Sequence, residues 1–158
     1  MTLHFAMSLA LLIGIVAGLR SLTAPAIVAW AAYVGWIHLG GTPHAFMGSA
    51  FTVGIFSILA VAELIADKLP KTPKRTAAVG LIARIVLGGL SGASISLAGH
   101  QGSHVGLFLG AAGGLIGAYA GYFVRTRAVK ALQVPDFVIA LFEDAVAIGG
   151  ALLIVTRF

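Results

Sequence analysis

Residues 136–158 read DFVIALFEDAVAIGGALLIVTRF. Between the polar ends of this stretch the only charged side chains are Glu143 and Asp144. A run of about 20 apolar residues is the length that crosses ~30 Å of hydrocarbon as a helix. A carboxylate at that depth costs several kcal/mol unless it is paired, protonated or wetted. Neighbouring residues diverge by about 100° around a helix, so these two carboxylates address different surroundings. One faces the bundle interior while the other pairs elsewhere, and burial against Arg20 or Arg84 is the structural alternative.

The whole chain has the same character. Of its 158 residues 59% are hydrophobic and 9% charged, against about 25% charged in soluble domains. Mean hydropathy is +1.05. The composition predicts an all-α polytopic membrane helix bundle, one integral domain over residues 1–158, in a bacterial inner membrane. The net charge of +5 falls in loops, where Lys and Arg mark the cytoplasmic ends of spans. No basic face alternates with exposed aromatics, so nucleic acid is not an expected partner. There is no cysteine, which excludes disulfides, thiol catalysis and thiolate metal sites. The N-terminus lacks the pattern of a cleaved signal peptide and reads as a first helix.

Working back from the last stretch, apolar segments occupy 105–124, 79–98, 47–66, 26–38 and 3–19. The stretch RTRAVKALQVPD (125–136) reads as a basic loop, and so does DKLPKTPKRT (67–76). Lys68, Lys71, Lys74 and Arg75 in one, with Arg125, Arg127 and Lys130 in the other, place both loops in the cytoplasm. Histidines without Lys or Arg mark the opposite loops at 39–46 and 99–104. A straight helix over residues 3–38 would be about 54 Å long, so the chain breaks or turns within residues 18–25, GLRSLTAP. The layout is five to six segments; six puts Arg20 on the cytoplasmic side, with a re-entrant first pair as a variant. Trp30, Tyr33 and Trp36 are expected near a membrane boundary.

Glycines recur at spacing four in two sets, Gly106, Gly110 and Gly114, and Gly113, Gly117 and Gly121. Small residues so spaced bring helix backbones together, within the chain or in a homodimer. Glu63 and Asp67 are also four apart, on one helix face, and repel unless a cation or proton intervenes. Pro135 and Asp136 look like a helix start. Arg84 lies about one turn inside its span and is placed to snorkel. Arg20, with Ser21 and Thr23, is placed either to balance charge or to hold an anion, since the guanidinium fork suits carboxylate and phosphate. His4, His38, His44, His100 and His104 read as interfacial polar residues. No nucleotide loop, zincin motif or Ser–His–Asp order occurs, so no cofactor and no catalytic residue is assigned, and the metal question stays open.

GLRSLTAP, AELIADKLPKTPKRT and the late Phe-Glu-Asp together resemble the bacterial membrane family catalogued as domain of unknown function 4126. Its pattern pairs an early Gly-Leu-Arg turn with a Glu-x-x-x-Asp-Lys-x-Pro helix end and a Glu-Asp near the C-terminus. Gly18, Leu19, Arg20, Glu63, Asp67, Lys68, Pro70, Glu143 and Asp144 match. The resemblance implies no activity. The residues themselves suggest a transporter or channel-like protein for a small cation or polar solute, in which Glu63, Asp67, Glu143 and Asp144 bind the ion while Arg20 and Arg84 balance them. The alternatives are an enzyme or flippase for an anionic lipid head group, gathered by Arg20, Ser21, Thr23, Lys71, Lys74 and Arg75, and a structural or assembly protein.

Overall fold

The computed structural model describes residues 2–67 and 77–158. The expected positions of Lys68, Pro70, Lys71, Lys74 and Arg75 lie outside the described residues. Among those described, the chain forms six α-helices and no strand: α1 (Leu3–Leu19), α2 (Thr23–Tyr33), α3 (Ala50–Ala66), α4 (Ala78–Ala98), α5 (Ser103–Leu132) and α6 (Asp136–Val155). Helices α4, α5 and α6 are long and apolar enough to cross a membrane; α1, α2 and α3 are shorter apolar helices. Large apolar side chains such as Phe51, Ile58, Val79, Phe108 and Phe142 point outward, as a bundle surrounded by lipid requires.

The break expected within residues 18–25 narrows to three residues. Helix α1 is apolar after Ser8 and stops where Arg20 turns extended, at φ −138° and ψ 107°. Ser21 and Leu22 complete the turn, and Pro25 sits in the first turn of α2, where its missing N–H leaves no helical bond unmade. The second apolar segment differs from its expected bounds of 26–38. Helix α2 has 11 residues, so at ~1.5 Å per residue it covers about half of the hydrocarbon thickness. The chain then climbs through an irregular stretch in which Ile37, Leu39 and Met47 are buried. Backbone bonds such as Trp36 N–H to Ala31 O at 2.8 Å satisfy its polar groups, as non-helical backbone at membrane depth demands. Gly35 and Gly41 turn it with φ of 83° and 75°. The Trp30 indole N–H donates to Ser57 Oγ at 2.9 Å. Ser57 lies near the middle of α3, so Trp30 stands at mid-height of that helix.

The 125–136 stretch is also corrected. Helix α5 runs for 30 residues, through RTRAVKAL, and ends at Gln133 in the left-handed conformation. No Gly or Pro interrupts residues 122–132, and Ala, Leu, Lys and Arg are good helix formers. The helix is about 45 Å long and outruns the bilayer core by several turns.

The centre of the bundle is α5, with α1 and α4 packed along it. A Cβ at Gly110 or Gly106 would fall under 3.0 Å from backbone of α4, at Gly88 and Gly92. A Cβ at Gly113 or Gly117 would fall equally close to backbone of α1, at Leu11 and Ile15. Gly14 and Gly18 of α1 return the contact on Gly110 and Gly114. The glycine spacing therefore serves packing inside one chain. These faces are occupied, so a dimer built on them, as the sequence suggested, has no free surface there. Helices α2, α3 and α6 complete the bundle, with α2 between α3 and α6.

Candidate functional site

Helices α1 and α3 end, and α4 and α6 begin, at the same end of the bundle, where α5 carries Arg125, Arg127 and Lys130. There the α1–α2 break places Arg20 at the centre of a charge cluster. Its guanidinium is fully buried. Nη1 donates to Asp67 Oδ2, at the C-cap of α3. Nε lies 2.6 Å from Asp144 Oδ1, in α6, off the hydrogen-bond direction. The side chains of Asp67 and Asp144 retain 16% and 10% exposure, so the cluster lies at the edge of the bundle's interior. One arginine thus ties the helix break to two other helices.

Glu63 does something different from its partner four residues on. Its Oε1 accepts from the Ser21 N–H at 2.8 Å and the Ser21 hydroxyl at 2.5 Å, and its Oε2 accepts from the Leu22 N–H at 2.8 Å. A helix start presents unpaired N–H groups and the positive end of the macrodipole. The carboxylate of α3 caps α2 in trans. This also separates Glu63 from Asp67: the repulsion expected between them is relieved by sending one to amide donors and the other to a guanidinium.

Arg84 is buried and not snorkelling. Its Nε donates to Gly18 O at 3.1 Å and its Nη1 to Gly80 O at 3.0 Å. It caps the last turn of α1, where a cation suits the negative end of the helix. Glu143 sits beside Arg125 Nη1 at 3.5 Å, and Arg125 also makes a two-pronged pair with Asp136, Nε to Oδ1 at 2.8 Å and Nη2 to Oδ2. The adjacent carboxylates of α6 therefore do face different neighbours, Asp144 toward Arg20 and Glu143 toward Arg125.

Sequence reasoning missed Arg125. A basic loop over 125–136 keeps it out of the charge balance, in which Arg20 and Arg84 stand against Glu63, Asp67, Glu143 and Asp144. The available signal was the absence of helix breakers before Pro135. Thr23, expected beside Arg20 as an anion ligand, is buried at the start of α2, and Ser21 is engaged by Glu63 rather than open to an outside anion. Among the described residues no group of three or more His, Asp or Glu is arranged to hold a metal ion. At the other end of the bundle His44 Nδ1 lies 2.8 Å from Ser94 Oγ. Ser94 Oγ already donates to Leu90 O at 2.9 Å, so His44 Nδ1–H is the donor and Nε2 carries the lone pair.

The model of a domain of unknown function, DUF4126, matches residues 7–157. The chain belongs to the DUF4126 family. The matched residues run from inside α1 to past the end of α6 and so include every member of the cluster. No curated protein and no solved structure matches the chain. In this chain the Gly-Leu-Arg turn, the Glu63–Asp67 helix end and the Glu143–Asp144 pair are the pieces that meet at this end of the bundle.

Proposed function

We propose that the protein is a small membrane transporter for a cation or polar solute, in which the carboxylates around the α1–α2 break take up the driving proton or cation. One observation carries this reading: a fully buried Arg20 is shared by Asp67 of α3 and Asp144 of α6. A buried ion pair seldom stabilises a fold more than an apolar substitute of the same shape. Ionisable groups held within an apolar bundle are therefore read as functional. Neutralising either carboxylate changes which helix Arg20 holds, and that couples charge uptake to helix position. The interrupted first pair, with the N-terminus of a short helix on a carboxylate, follows the architecture of discontinuous helices in transporters.

Reconstituted liposomes test it. Wild-type protein is expected to carry protons or monovalent cations above the leak of protein-free vesicles. Asp144→Asn and Glu143→Gln are expected to reduce that flux at least tenfold. Flux unaltered in both variants, or indistinguishable from protein-free vesicles for wild type, sinks the proposal. A structural role is the second reading, favoured by the way Glu63 and Arg84 use their polar atoms to cap α2 and α1. It predicts that neutral variants change melting and nothing else.

A further inference from the structure

Three side-chain polar atoms of the α1–α2 break have no hydrogen-bond partner among the described residues, Arg20 Nε, Arg20 Nη2 and Thr23 Oγ1; Nε is held in the ion pair with Asp144, which leaves Arg20 Nη2 and Thr23 Oγ1. Their residues are 0% and 3% exposed. Nη1 of the same guanidinium donates to Asp67 and Nε lies against Asp144 as an ion pair, so Nη2 is the nitrogen for which neither contact accounts. Buried donors left unmet are costly, and in native proteins ordered water meets such groups where two to four polar partners are within reach. The two atoms belong to residues three apart across a tight turn, at the start of a helix whose own orphan N–H groups raise the local demand for an acceptor.

The chemistry selects the guest. A cation would face the guanidinium and the positive end of α2. An added anion would join the carboxylates of Glu63, Asp67 and Asp144, already gathered here. A neutral molecule that accepts from Nη2 and either donates to or accepts from Oγ1 meets both needs. We propose that one buried water bridges Arg20 Nη2 and Thr23 Oγ1, and that Thr23 holds it in place. The cluster is then hydrated from within the bundle, and Thr23 acts as a ligand of that water rather than of an external anion. This inference stands apart from the transport reading, since its test needs no flux.

Thr23→Val replaces a hydroxyl by a methyl of nearly the same shape, and the sign of the change in Tm decides. A solitary buried hydroxyl is a burden, so its removal raises Tm. A hydroxyl that anchors a water is a support, so its removal strands the water and Nη2 and lowers Tm. For purified protein in detergent we expect Thr23→Val to melt about 2–4 °C below wild type, and Thr23→Ser, which keeps the hydroxyl, to melt closer to wild type. A Tm for Thr23→Val equal to or above wild type overturns the proposal, as does a Thr23→Ser loss as large as that of Val. A structure at a resolution that shows waters reads the same place directly. Density within hydrogen-bond distance of both atoms supports the water, and its absence overturns it even where Thr23→Val fails to fold.

Discussion

Arg20 is the residue on which the cluster turns. With Arg20→Met, Asp67 and Asp144 lose their shared cation while staying largely inside the bundle. Removing one partner of a buried pair costs about 3–5 kcal/mol, and the residual exposure of both carboxylates favours the lower part of that range. Arg20→Lys is expected to recover only part of the loss, because an ammonium does not offer the planar fork that reaches two carboxylates at once. Thermal melting of Arg20→Met combined with Asp67→Asn and Asp144→Asn checks the account: the triple variant should melt above Arg20→Met alone. A triple variant no better than the single one would show that charge pairing is not what Arg20 supplies. The grouping of Arg20, Glu63, Asp67 and Asp144 was legible in the sequence, because charges in an apolar chain must find one another. Which charge meets which was not. Spacing places Glu63 and Asp67 on one face, and nothing local says that one reaches amides and the other a guanidinium.

Among the elements, α5 sets the packing, and its glycines differ sharply from the one in α3. A Cβ at Gly110 meets backbone of α4 at under 3.0 Å, while one at Gly54 in α3 meets nothing within 4 Å. Gly110→Ala forces α4 and α5 apart and is expected to destabilise by about 1–3 kcal/mol, as overpacking does. Gly54→Ala is expected to stabilise by about 0.4–1 kcal/mol, through the conformational freedom that glycine gives the unfolded chain. Melting curves of the two variants should move in opposite directions; a shared direction would mean that helix propensity, and not backbone contact, governs both. The existence of all six helices was readable from apolar run length. The end of α5 and the extent of α2 were not, since both depend on tertiary neighbours. A basic, water-soluble composition masked a continuing helix in one case. In the other, a run apolar enough to continue was stopped by the folding back of residues 34–49.

For the whole molecule, the end opposite the cluster carries its own pH dependence. Partial burial of His44 holds its imidazole below the ordinary range. Folding therefore favours the neutral ring, and the unfolded chain takes up a proton first as pH falls. Stability is full above the ordinary imidazole range near 6.5, declines as pH drops through it, and levels off below the depressed folded value. Because Nδ1–H already serves Ser94, protonation at Nε2 leaves that bond in place and the penalty comes from burying charge. Tm measured between pH 7.5 and 5.5 should fall, both pH values being about one unit either side of that reference, and His44→Gln should flatten the slope. An unchanged slope would assign the effect to other groups.

Helix α1 finds its deepest contacts on α5, which begins only at Ser103. At roughly 5–20 residues per second, several seconds of synthesis separate the two. During that interval the grooved side of the first helix, shaped for backbone, lies open to whatever surrounds the nascent chain. Biogenesis therefore leaves that groove to lipid or an insertion chaperone, which yields it when the late helix α5 docks along α1 and α4.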